Sequence, residues 1–339
     1  MDNFFIEHRD PIFGIIIFIF SGLIIAIFSY LWGVFSKKDD KSKIENFVKR
    51  FNSKKGISTK YKELLRSGEI GNDALSILAN VFSKSGDFEN AINVYLITLE
   101  NIKDKKEQIF ILTELGKIYF NAGFLKKAEE VLLKSVELSP RNETALKYLS
   151  VIYERLKMFD RELIVLDALK EQGVDINKSW EFVNAQIIAN DTTLSFDKKI
   201  KTISKFDSHQ ISRFIFELYI QNKEPLLKIK KFPQLKDAID LLWRLDEAVN
   251  LKDPEYKALF YAKNLTDKYE KSSFFEIEAI SMMRNSGYFL ADLNFKYICT
   301  ECKNSLPSFF YRCPICYSLK EIKIVPRITR KDNEIDMPF

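Results

Sequence analysis

The four cysteines stand together at Cys299, Cys302, Cys313 and Cys316, two C-x2-C pairs separated by ten residues. Each C-x2-C places two sulfurs on one tight knuckle, and two knuckles complete a tetrahedral four-sulfur cage of the kind that takes zinc or iron. Clustering in one short stretch argues against a secreted disulfide framework. A closed S4 site has no open position for a substrate, so hydrolytic zinc chemistry is not expected. Structural Zn2+ is the expectation, with Fe and electron transfer as the alternative. The loop between the knuckles carries Phe309, Phe310 and Tyr311, which should seat the ribbon on something apolar.

Other chemistry is sparse. There are two histidines, His8 and His209, too few for most His-based catalysis or a His-rich metal centre. Neither G-x-G-x-x-G nor G-x4-G-K-[ST] occurs, so nucleotide use through those loops is not supported. The net charge of +5 comes without an aromatic-basic RNA motif. The expectation is a non-enzymatic protein that takes neither nucleic acid nor a small-molecule substrate.

The elements that position the cysteines should be helical. Of 339 residues, 46% are apolar and 29% charged, which excludes wholesale disorder, and only 11 Gly and 9 Pro leave little for a turn-rich β fold. Three segments repeat. The first reads Leu75-x2-Leu78-Ala79-x2-Phe82, Gly86, Ala91-x3-Tyr95; the second Leu112-x2-Leu115-Gly116-x2-Tyr119, Gly123, Ala128-x3-Leu132; the third Leu146-x2-Leu149-Ser150-x2-Tyr153, Met158-Phe159, Glu162-x3-Leu166. From Tyr119 to Tyr153 is 34 residues, the tetratricopeptide period of paired helices; the 37 from Phe82 to Tyr119 imply a three-residue insertion in the loop 101–106. Gly116 and Ala128 should sit where helices cross closely, and the third unit is degenerate at Ser150 and Glu162.

Beyond Gly173 helical periodicity persists in Trp180–Asn190, Ile211–Gln221, Leu235–Asn250, Glu255–Tyr269 and Phe275–Arg284. The predicted fold is all-α, a tetratricopeptide-type α-solenoid with a concave groove. Groove candidates for binding an acidic partner are Asn80, Ser83, Lys84, Lys117, Asn121, Lys147 and Arg155.

Ile12 to Phe35 is a run of 24 residues without a formal charge. As a helix it would be about 36 Å long, enough to span a hydrocarbon core of about 30 Å. The preceding Asp2, Glu7 and Asp10 do not suit a signal peptide. Eight basic residues between Lys37 and Lys55 place the N-terminus outside and the body in the cytoplasm. Gly22, Ala26, Ser29 and Gly33 form a small-residue stripe on which another helix could pack. The expected organisation is an anchor over 1–36, repeats over 37–290, a four-Cys ribbon over 291–325 and a flexible tail over 326–339.

This order of parts resembles the lipopolysaccharide assembly protein B family. The resemblance rests on the anchor, Ala79-Asn80-Val81-Phe82-x3-Gly86, Leu115-Gly116-x2-Tyr119-x3-Gly123 and Tyr311-Arg312-Cys313-Pro314-x-Cys316. Lys303 and Tyr317 stand where rubredoxin-like knuckles usually carry Gly. The resemblance implies a rubredoxin-like zinc ribbon packed on the repeats. It also implies a regulator at the bacterial inner membrane, an adaptor between a membrane AAA+ protease and the deacetylase of lipid A synthesis. The alternative is a scaffold for lipopolysaccharide synthesis or transport proteins without proteolysis.

Overall fold

A computed structural model describes residues 20–28, 71–102, 104–319 and 322–331. The chain divides into two compact units, the first ending at Ile152 and the second beginning at Tyr153. Helices run α1 (Asn72–Lys84), α2 (Phe88–Asn101), α3 (Lys105–Asn121), α4 (Leu125–Leu138), α5 (Glu143–Arg155), α6 (Phe159–Glu171), α7 (Asn177–Asn190), α8 (Phe196–Ile203), α9 (His209–Gln221), α10 (Leu235–Trp243), α11 (Pro254–Ala262) and α12 (Phe275–Asn285). Three strands follow: β1 (Ala291–Cys299), β2 (Ser305–Leu306) and β3 (Ile322–Arg330).

In the first unit the helix pairs form because their apolar residues recur on one face, with Leu75, Leu112, Leu115 and Leu132 all fully buried. Gly116 is the closest approach. A Cβ there would stand 2.5 Å from both Cγ and Cδ2 of Leu132, so only glycine lets α3 lie this close to α4. A polar knot finishes the pair. Asn142 donates to Thr113 Oγ1 at 2.8 Å and to Ser135 Oγ at 2.9 Å, tying α3 and α4 to the start of α5. Asp87 and Asp104 cap α2 and α3 by accepting backbone N–H bonds.

The expected insertion in the loop 101–106 is absorbed differently. Helix α2 runs through Asn101 and α3 starts at Lys105, so the extra residues lengthen α3 to 17 residues against 13 in α1 and α5.

The three repeats turn on the same backbone motif. The amides of Asp87, Phe124 and Met158 donate to the carbonyls of Phe82, Tyr119 and Tyr153, with a left-handed residue before each: Gly86, Gly123 and, in the third repeat, Lys157 at φ 55°. The degenerate repeat thus keeps the turn at some conformational cost.

In the second unit, α7, α9 and α12 match the periodic stretches, whereas α8 lies in a segment with no such expectation. Two helices are shorter than their patterns. α10 stops at Trp243 rather than Asn250, and α11 at Ala262 rather than Tyr269. The Trp243 indole is drawn to β1, donating to Asp292 Oδ1 at 2.6 Å, and left-handed Asn264 ends α11. The sheet order is β2-β1-β3, antiparallel, with Phe295 opposite Pro326 and Ala291 opposite Arg330. The stretch Pro326–Arg330 is not the flexible tail that the sequence suggests. It is paired strand, because Ile324, Pro326 and Ile328 continue the alternation that meets β1. Residues 332–339 lie outside the described residues.

Of the expected anchor, residues 20–28 are described and helical, with Gly22 and Ala26 among them. Ser29, Gly33 and the basic residues 37–55 lie outside the described residues. Among the described residues no helix is long and apolar enough to cross a membrane.

Candidate metal centre

Strand β1 delivers the first ligand. Its inward residues are Ala291, Leu293, Phe295, Tyr297 and Cys299, so the last inward position of a nine-residue strand is a cysteine. The chain then folds into a knuckle in which Lys303 N–H donates to the Cys299 carbonyl and Cys299 N–H to the Asn304 carbonyl, each at 3.0 Å. The second knuckle repeats it. Tyr317 N–H donates to the Cys313 carbonyl at 2.9 Å, and Cys313 N–H to the Ser318 carbonyl at 3.0 Å. Lys303 and Tyr317 take φ of 61° and 59°, the left-handed conformation in which glycine would be unstrained.

The four Sγ atoms all lie within 4.8 Å of one another, and none is in a disulfide. Cys299 to Cys316 and Cys302 to Cys313 are each 3.7 Å between sulfurs. A tetrahedron with metal–sulfur bonds of about 2.3 Å has edges of about 3.8 Å, so the donor set fits a tetrahedral thiophilic ion. The four cysteines would hold it, and such an ion supplies folding free energy rather than a reactive position. The thiols differ in proton affinity. Hydrogen bonds from Asn304 pull Cys302 down to about 6, while burial pushes Cys316 up to about 12 and also raises Cys313.

The loop between the knuckles is clamped to helices of the same unit. Tyr311 packs on Phe182 with ring centroids 4.7 Å apart, and on Phe214 at 6.0 Å. Its hydroxyl donates to Glu217 Oε2 at 2.6 Å. Glu217 in turn accepts from Arg213, whose guanidinium forks onto Asp240 at 2.7 and 2.9 Å. The Arg213 guanidinium also lies 3.5 Å from the Phe309 ring centroid. Tyr297 of β1 donates to Asp240 Oδ2 at 3.0 Å, closing the cluster. Arg312, next to Cys313, bonds Glu154, approaches Glu162 Oε1 at 3.5 Å, and donates to the Tyr317 carbonyl at 3.1 Å.

Glu162 is a residue whose role the repeat pattern hid. It stands where the first two repeats have Ala91 and Ala128, and like them is fully buried. Read as degeneration, it is the carboxylate that meets Arg312 beside the second knuckle.

The groove candidates fall on α1, α3 and α5. Asn80, Lys84, Asn121, Lys147 and Arg155 are exposed, and Ser83 and Lys117 half-buried. Lys117 and Lys147 each hold a carboxylate of their own helix, Glu114 at 2.6 Å and Glu143 at 2.5 Å, which reduces the cationic character expected of that face. The Arg155 guanidinium lies 5.8 Å from the Tyr317 ring centroid.

With this geometry in place, comparison with known proteins finds a known repeat in one short part of the chain. Residues 111–142, most of α3 with α4 and the following turn, match the tetratricopeptide repeat. No curated protein matches. Among solved structures, MamA AMB-1 is similar at 20% identity, covering 45% of this chain and 82% of its own, with a TM-score of 0.32. MamA MSR-1 is similar at 20% identity over 45% of this chain and 87% of its own, with a TM-score of 0.31.

Proposed function

We propose that this protein is a membrane-anchored adaptor of the lipopolysaccharide assembly protein B type. Its body lies on the cytoplasmic face of a bacterial inner membrane, with the N-terminus outside. It presents the deacetylase of lipid A synthesis to a membrane AAA+ protease, so that turnover of the deacetylase keeps lipopolysaccharide synthesis in balance.

The observation that carries the reading is the pairing of a tetratricopeptide repeat with a closed four-Cys cage whose loop is clamped on helices. Helical repeats bury their neighbours' faces and leave extended surface for protein partners. A cage of four thiolates adds rigidity without an open coordination position. The metal is Zn2+, with Fe as the alternative. The apolar run from Ile12 to Phe35 would confine the body near partners in the same membrane, raising their effective concentration without any new contact.

Pulse-chase measurement of the deacetylase tests this. Cells lacking the protein should degrade it more slowly and accumulate lipopolysaccharide. An unchanged half-life would refute the proteolytic role and favour a scaffold that assembles lipopolysaccharide synthesis or transport proteins.

A further inference from the structure

A second site lies in the same unit as the cysteines. A cavity of about 550 Å³ opens between the C-terminal ends of α10, α11 and α12 and strand β1. Four cations from four separate places line it: Arg244 after α10, Lys263 after α11, Arg284 in the last turn of α12 and Lys331 after β3.

None of these four side chains is in an ion pair among the described residues. Those that are held are held by neutral groups. Lys263 donates to the Leu245 carbonyl, and Arg284 donates to the carbonyls of Tyr261 and Thr266 while its guanidinium lies 4.2 Å from the Tyr261 ring centroid. Such bonds fix the position of a charge without neutralising it. Arg244 and Lys331 are exposed and their side chains make no hydrogen bond among the described residues.

The opposing charge is small. Among the described residues Asp292 is the one carboxylate lining the cavity, and it already accepts from the Trp243 indole and from Leu293 N–H. Asp246 also acts on Lys263, whose ammonium burial destabilises and the neighbouring Lys331 destabilises further. Counting both carboxylates against the four cations leaves an excess of two positive charges.

We propose that this cavity binds the phosphoryl group of a phosphorylated ligand. A phosphomonoester carries close to two negative charges at neutral pH and three acceptor oxygens, matching the excess and the spread of donors; a lone carboxylate matches neither. The remaining volume is far larger than a phosphate. Its walls include Trp243, Tyr288 and Phe289, with the last two exposed, which suits a ligand with a ring or an apolar body attached to the phosphate. That body belongs either to a soluble phosphate ester or to a phospholipid headgroup presented at a surface.

The full chain would be titrated by calorimetry with inorganic phosphate, adenosine monophosphate, succinate and a hexaglutamate peptide. In parallel it would be floated with phosphatidylcholine vesicles with and without phosphatidic acid. Arg244→Gln and Lys331→Gln are the test variants, since both side chains are exposed and the thermal midpoint should not move. Saturable binding of adenosine monophosphate, weakened about tenfold by each variant, would support a soluble ester. Enhanced flotation with phosphatidic acid that each variant reduces would support the lipid source. The proposal is overturned if no phosphate probe binds, if succinate or hexaglutamate binds and the phosphates do not, or if both variants bind phosphate probes as tightly as the parent chain.

Discussion

The Tyr311 hydroxyl donates to Glu217 Oε2 at 2.6 Å across 94 residues of sequence, joining the loop between the cysteine knuckles to helix α9. Glu217 is held from its other side by Arg213, and burial raises its pKa above the usual carboxylate range. Removing one donor from a buried acceptor costs about 1–3 kcal/mol, and the low end of that range applies to Glu217, which is only half-buried. Tyr311→Phe should therefore lower the stability measured by urea unfolding by that amount while leaving metal content unchanged, since no sulfur is altered. An unshifted urea midpoint would mean that the stacking on Phe182 and Phe214 alone seats the loop.

Metal removal should act more broadly. Cys313→Ser leaves three thiolates and should lose bound zinc, about one per chain in the parent by elemental analysis. Because metal binding in a small ribbon is largely folding free energy, residues 295–325 should become sensitive to protease. A variant that keeps its full metal content would sink the four-cysteine assignment.

Gly116→Ala tests the helix crossing in the first unit. The added methyl would meet Leu132 at 2.5 Å, and Leu132 is itself fully buried. Overpacking of this kind costs about 1–3 kcal/mol, more than the helix propensity gained by removing glycine, about 1 kcal/mol. The expected result is a lower thermal midpoint; a higher one would show that α3 and α4 separate freely.

Tyr95→Phe should do the opposite. Tyr95 is fully buried in α2, and its hydroxyl has no hydrogen-bond partner among the described residues. Deleting the oxygen removes an uncompensated desolvation penalty, so stability should rise by about 1 kcal/mol. A loss of stability in chemical denaturation would reveal a partner for that hydroxyl.

Alkaline pH should unfold the chain. Burial pushes Tyr95 and Tyr297 up to about 12, and raises Tyr119, Tyr256 and Tyr311 as well. An unfolded tyrosine ionises near about 10, so these groups contribute fully below that pH. As pH rises through the interval from about 10 to the folded values, the unfolded state loses protons first. Each tyrosine then removes about 1.4 kcal/mol per pH unit. Urea midpoints from about pH 8 to 11.5, followed with tyrosinate absorbance, should show a plateau below the ordinary tyrosine pKa and a steep decline above it.

The repeat pattern and the cysteine spacing were legible in the amino-acid order because both are local. A tetratricopeptide pair packs mostly on itself, so its small and large residues recur at fixed intervals, and Gly116 and Ala128 mark the crossing in the chain itself. Two C-x2-C knuckles likewise carry their own geometry. Past Gly173 the same periodicity points to helices but misplaces the ends of α10 and α11 and passes over α8. Those boundaries depend on contacts across the fold, such as the Trp243 indole reaching Asp292 across 49 residues.

By itself, then, the sequence determined which chemistry was possible: a thiophilic metal cage and paired helices, with almost nothing for histidine catalysis. Tertiary structure alone decided what the cage is fastened to. Glu162 reads as a decayed small position until Arg312, 150 residues later, lies against it. Ile324, Pro326 and Ile328 read as tail or ribbon end until β1 lies beside them. Arg244, Lys263, Arg284 and Lys331 are scattered charges in the chain and one cavity wall in space. The physical reason is common to all three cases. A buried charge, a strand edge and a cation each have an energy set by what lies opposite, and chain order does not encode what lies opposite.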